Sequence, residues 1–172
     1  MPEIDIDFDY LQKTLVSLLN IPSPSGYTDQ IVHFVGEELQ HLGIDYNVTR
    51  RGAIRATLKG AGHGTLDRAV AVHLDTLGAM VRQVKANGRL AIAPVGTWSS
   101  RFAEGARVTV YADDGPIRGT VLPLKASGHA YGDTVDTQDT GWDRVEVRVD
   151  RDMQDRHGKL NRVIQVGDFV AF

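Results

Sequence analysis

His73 and Asp75 are the residues whose types and spacing point most directly to chemistry. They stand two apart near the end of Ala69-Val70-Ala71-Val72-His73-Leu74-Asp75-Thr76-Leu77-Gly78. In extended chain, residues two apart share a face, so this imidazole and this carboxylate project to the same side. A carboxylate beside an imidazole fixes the ring's tautomer and raises its basicity, a pairing common behind metal-ligating histidines. The same pair also serves as a simple ion pair or a capped strand end, and the spacing alone leaves both readings open.

The four apolar residues before His73 read as a strand buried on both faces. His73 and Asp75 then fall at its carboxyl end, where open α/β sheets place their ligands. Upstream, Asp7 or Asp9 can cap a first helix running to about Asn20, with Leu11, Leu15, Leu18 and Leu19 on one face. Ile21-Pro22-Ser23-Pro24-Ser25-Gly26 ends it, because each proline pushes its predecessor out of the helical region. Thr28 is placed to cap a second helix with the stripe Ile31, Val32, Phe34, Val35, Leu39 and Leu42, stopped by Gly43. His33 and His41 lie on or beside it and read as surface residues. Asp45 to Thr49 and Ala53 to Lys59 are short strand candidates. Gly60-Ala61-Gly62-His63-Gly64 lacks the Lys-Ser/Thr of a phosphate-binding loop and reads as a flexible connection.

After Gly78 helical periodicity gives way to hairpins. Met80 to Lys85 and Arg89 to Ala93 flank Asn87-Gly88, while Arg107 to Tyr111 and Ile117 to Leu122 flank Asp113-Asp114-Gly115-Pro116. Arg144 to Val149 alternates valines with charged residues. Val163 to Val166 and Phe169 to Phe172 are the last strand candidates. Lys125 to Gly141 reads as a long loop, and its Asp133, Asp136 and Asp139 lack the spacing of a calcium loop. Asp150 to Lys159 reads as a short helix or a surface turn. Together these describe a small antiparallel barrel or sandwich.

The 172 residues allow one large or two small domains. Apolar residues make up 42% and charged residues 24%, an ordinary globular balance. A net charge of −3 gives no basic footprint for nucleic acid, and no apolar run reaches the length of a membrane span. There are no cysteines, so disulfides and thiolate metal sites are excluded and any metal needs His, Asp or Glu. The acidic start, Met1-Pro2-Glu3-Ile4-Asp5-Ile6-Asp7, lacks a signal-peptide pattern, and a cytoplasmic location is the expectation.

Several features occur in a particular order: Pro22-Ser23-Pro24-Ser25-Gly26, the run Val70 to Val81, Asn87-Gly88, Ala93-Pro94-Val95-Gly96, a β-rich insert, and Val166-Gly167-Asp168-Phe169-Val170. This order resembles the amino-terminal half of the M42 family of metallo-aminopeptidases. The resemblance implies an α/β fold, with part of a metallopeptidase-type catalytic domain over residues 1–78. It also implies an inserted β-barrel oligomerisation domain over 79–162 and a return strand over 163–172. It implies two divalent ions, zinc or cobalt, in the complete enzyme, with His73 as a metal ligand and Asp75 as the catalytic-site carboxylate supporting it. The paired ions would hold a bridging water, and a peptide would be the substrate.

The sequence departs from the family pattern at Thr76, where Glu is usual, and at Arg50-Arg51-Gly52-Ala53-Ile54, which stands for Asp-x-x-Gly-Asn-Leu. Other metal ligands and the general base of the family would follow Phe172. The expectation is therefore a fragment, inactive alone and binding metal weakly or not at all, that assembles as a homo-oligomer. The alternative is a non-catalytic binding or assembly module, or a split subunit.

Overall fold

The computed structural model describes residues 5–60, 68–150 and 163–172. The chain divides into two compact units, residues 1–75 and 76–172.

In the first unit, helix α1 covers Phe8–Asn20 and helix α2 covers Asp29–His41. Asp7 caps α1, its Oδ1 accepting from the Tyr10 amide at 2.9 Å. Thr28 precedes α2 without a side-chain capping bond. Gly43 takes φ +69° just past the second helix, the left-handed conformation that closes a helix most cheaply in glycine. Tyr10 Oη donates to Glu38 Oε2 at 3.1 Å, tying the helices together. Strands β1 (Tyr46–Val48) and β2 (Ile54–Ala56) form an antiparallel pair in which Asn47 faces Arg55.

The apolar faces read from the sequence are present here but largely uncovered. No residue of α1 is buried, and from the α2 stripe only Ile31 is. The stretch before His73 departs further from expectation. Residues 68–75 form no strand, and Val70 and Val72 are 90% and 84% exposed. The expected doubly buried strand is therefore not formed. A buried strand needs ladder partners on both sides, and among the described residues β1 and β2 pair with each other and the remaining strands close the barrel.

The second unit is a closed antiparallel barrel with strand order β3-β4-β7-β6-β5-β8. Its strands are β3 (Gly78–Val84), β4 (Leu90–Val95), β5 (Arg107–Ala112), β6 (Gly115–Pro123), β7 (Val145–Val149) and β8 (Phe169–Ala171). Alternation with period two sends Val108 and Val110, Val145, Val147 and Val149 into one core with Val81, Leu90, Ile92, Val121 and Val170. Each such burial contributes about 2 kcal/mol relative to exposure. The first hairpin turns at Asn87-Gly88 as the sequence predicts, but its loop is a residue longer than two: the Gly88 amide donates to the Lys85 carbonyl at 2.9 Å, with Gly88 at φ +78°. The second hairpin is tighter than expected. Gly115 and Pro116 already belong to β6, facing Ala112 and Tyr111. A register shift between Val81 and Gln83 bends β3, as bulges do at barrel corners.

Two expectations need correction here. Residues 163–166 do not form a strand; instead Ile164 is fully buried in the barrel core while Val166 is 68% exposed. The last strand, β8, is a member of the barrel, pairing with β3 and β5. Its pairing supplies both edges that the barrel needs in order to close. Finally, the Lys125–Gly141 segment contains two one-turn helices, α3 (Gly128–Tyr131) and α4 (Thr134–Thr137). Gln138 fastens it, its Nε2 donating to the carbonyls of Lys125 and Val135, both at 2.9 Å. The expectations at Ala61 to Gly64 and over most of Asp150 to Lys159 fall outside the described residues.

Candidate functional site

The site begins with a turn. Pro22 and Pro24 end α1 and hold the chain extended, and the Tyr27 amide then donates to the Pro24 carbonyl at 2.7 Å. Gly26, third in this turn, takes φ +97°, which is the conformation a type II turn asks of that position. The turn presents two serines to a segment about fifty residues further on. Ser23 is fully buried and its Oγ donates to the Leu74 carbonyl at 3.2 Å. Ser25 Oγ donates to Asp75 Oδ2.

Asp75 in turn meets His73. Its Oδ1 lies 3.2 Å from His73 Nδ1, and its backbone carbonyl oxygen lies 2.9 Å from the same nitrogen. The two candidate residues are thus brought together, though in an exposed extended segment. The contact is asymmetric in a useful way. Both oxygens facing Nδ1 are acceptors, so in the neutral ring the proton sits on Nδ1 and the lone pair on Nε2. The imidazole side chain is 84% exposed, so the nitrogen that could bind a ligand is on an open ring.

The Ser25 hydroxyl is the largest influence on Asp75 and holds its carboxyl below the ordinary value. Partial burial opposes this, and the Asp75 amide and the His73 ring add to the lowering. The other histidines of the helices stay on the surface, His33 beside Glu37 at 3.2 Å and His41 beside Glu38 at 3.8 Å.

The M42 glutamyl aminopeptidase profile matches residues 52–172, which is more than half of the chain. The chain belongs to the M42 family. Among curated relatives, YhfE of Bacillus subtilis (strain 168), whose name assigns it to the aminopeptidases, is 32% identical over 156 residues. That alignment covers 90% of this chain and 44% of YhfE. Two solved structures share the fold. A TET aminopeptidase from a marine sediment archaeon, Thaumarchaeota archaeon SCGC AB-539-E09, superposes with TM-score 0.77 at 19% identity, covering 96% of this chain and 45% of its own. The TET1 peptidase of Pyrococcus horikoshii superposes with TM-score 0.75 at 20% identity, covering 94% and 46%. This M42 chain thus spans less than half the length of these relatives.

M42 aminopeptidases are metal-dependent, so the donors here can be tested against that requirement. Among the described residues no group of three or more His, Asp or Glu side chains is placed to hold an ion. A catalytic zinc site ordinarily has three protein ligands. The donor set therefore fits one ligand position, His73 with its Nδ1 side already satisfied, and does not fit a complete centre. The sequence reading took the proline-rich loop only as a helix stop. The alternating prolines and serines before Gly26 were the available signal for a turn that aims hydroxyls.

Proposed function

We propose that the whole protein to which this chain belongs is an aminopeptidase that hydrolyses amino-terminal peptide bonds with two divalent ions, zinc or cobalt. In this reading His73 supplies one metal ligand through Nε2, and Asp75 holds the ring. The observation that carries it is the His73 Nδ1 atom facing two acceptors, Asp75 Oδ1 and the Asp75 carbonyl, as behind a ligating histidine. Bound ions would polarise the scissile carbonyl and activate a water. The residues of this chain orient one ligand. The remaining ligands and the general base would come from outside the described residues. Family membership and relatives named as aminopeptidases support the reaction class.

The test joins this chain to its downstream coding sequence. Hydrolysis of a panel of aminoacyl chromogenic substrates and metal content by mass spectrometry are then measured with and without His73→Ala. Loss of both metal and activity is expected. Unchanged metal content and activity in the variant would sink the assignment.

We also propose that the protein is a homo-oligomer. The Pyrococcus horikoshii TET1 peptidase is described as assembling into a tetrahedron or a large octahedral shell, which supports this reading. A second reading, a non-catalytic assembly module, draws support from the second unit, whose barrel closes on its own core. A stop codon directly after Phe172 would favour the module.

A further inference from the structure

We propose that Ser25 is a positioning residue: its hydroxyl pins the Asp75 carboxylate so that His73 is held with Nδ1 engaged and Nε2 free for a ligand. This rests on the reading of His73 as a metal ligand, but the geometry behind it stands on this chain's own contacts.

The torsion that turns a carboxylate about its Cβ–Cγ bond is broad and weakly restrained. Asp75 is two-fifths exposed, so packing alone does not fix that torsion. Its two oxygens have separate partners. Oδ2 receives the Ser25 hydroxyl, and Oδ1 faces His73 Nδ1. With Oδ2 tied to the turn, the plane of the carboxylate is set, and Oδ1 is directed at the ring.

The turn is itself anchored. Gly26 supplies the positive φ, the Tyr27 amide closes the turn on the Pro24 carbonyl, and buried Ser23 grips the Leu74 carbonyl one residue before Asp75. Two hydroxyls from one loop thus hold consecutive residues of the histidine segment. This matters because residues 68–75 form no strand. The loop does for this segment what strand pairing does elsewhere, and Ser25 carries the constraint through Asp75 to the ring.

The experiment reads the His73 tautomer directly, by long-range proton–nitrogen correlation NMR on this chain without metal, at a pH where the ring is neutral. The wild-type ring is expected to be protonated on Nδ1. Ser25→Ala is expected to move part of the His73 population toward the Nε2-protonated form that free imidazole side chains favour, the Asp75 carbonyl remaining as the other acceptor at Nδ1, while Ser25→Thr, which keeps a hydroxyl, retains the wild-type signature. Ser25 is exposed, and unchanged amide spectra away from the turn confirm that each variant is folded. An Nδ1-protonated His73 in Ser25→Ala, indistinguishable from wild type, would overturn the proposal and leave the metal reading untouched. If instead His73→Ala kept its metal in the complete protein, the metal reading would fall while the tautomer result stood.

Discussion

Glu146 Oε1 lies 2.6 Å from Arg89 Nη1, a charge-assisted bond between β7 and the start of β4. Glu146 Oε2 also accepts from Lys85 Nζ at 2.8 Å, so one carboxylate bridges both arms of the Asn87-Gly88 hairpin. Glu146 sits between inward-facing Val145 and Val147, on the outer side of the barrel, yet is only 5% exposed because the two cations cover it. The position matters because the β4–β7 register is short, with Leu90 opposite Val147. This seam is where the barrel has least backbone pairing to hold it closed.

Replacing Glu146 with Ala strands two partly covered cations and loosens that seam. Fully buried pairs lose several kcal/mol when one partner is removed. Here about a third of each cation is exposed, so a loss of about 1–3 kcal/mol is expected. Both tryptophans, Trp98 and Trp142, belong to the barrel unit, so their fluorescence follows its unfolding in urea. A midpoint equal to wild type would show that the bridge adds nothing.

Gly119 has no room for a side chain. A Cβ there would stand 2.8 Å from Val147 Cγ1 and 2.9 Å from the Arg148 carbonyl oxygen, and the second of these is backbone that cannot swing away. Gly119→Ala is expected to cost about 1–3 kcal/mol by forcing β6 and β7 apart. The same urea titration reads it. A neutral result would mean that the strands yield more readily than their packing implies.

Trp98 and Phe102 stand four residues apart in the connection between β4 and β5, and their surroundings differ. Trp98 Nε1 donates to the Gly78 carbonyl at 3.0 Å, and its ring meets Trp142 and Phe172 edge-on at 4.7 Å each. Phe102 is 78% exposed. Trp98→Ala should therefore destabilise the barrel by about 3 kcal/mol, and Phe102→Ala should stay within about 0.5 kcal/mol, by circular dichroism in urea. Light scattering at micromolar concentration then tests assembly. If the proposed oligomer uses this aromatic, Phe102→Ala lowers the measured mass; an unchanged oligomer mass would remove Phe102 from the interface.

Arg107 grips Asp150 with its two terminal guanidinium nitrogens, Nη1 and Nη2, and this bond holds the Asp150 carboxyl below its ordinary value. The unfolded chain therefore takes up this proton at a higher pH than the folded one. The stabilisation is complete above about pH 4, the ordinary aspartate range, and is lost as pH falls through the lowered folded value. Arg107→Ala should flatten that acid-side loss while lowering stability at neutral pH. Urea midpoints at pH 7, 4 and 3 check this; parallel curves for variant and wild type would contradict it.

Much of the architecture was legible because it is local. Asp7 capping α1, Gly43 ending α2 and Asn87-Gly88 turning the first hairpin depend on a few neighbouring residues and on backbone rules that those residues obey anywhere. The valine alternation of β5 and β7 likewise announces one buried face whatever the partner strand. The pairing of His73 with Asp75 was readable for the same reason, since two residues apart in extended chain means one side.

The tertiary structure decided what depends on distant partners. Four apolar residues before His73 looked like a central strand, but Val70 and Val72 stand exposed, and no described strand flanks them in a sheet. Val163 to Val166 had strand composition, yet Ile164 turned inward and Phe169–Ala171 became the strand that closes the barrel. Ser25 reached Asp75 across fifty residues of sequence, a contact no local pattern encodes. Propensity and periodicity act within a few residues, whereas ladder pairing, barrel closure and side-chain contact are settled only when the chain has folded back on itself.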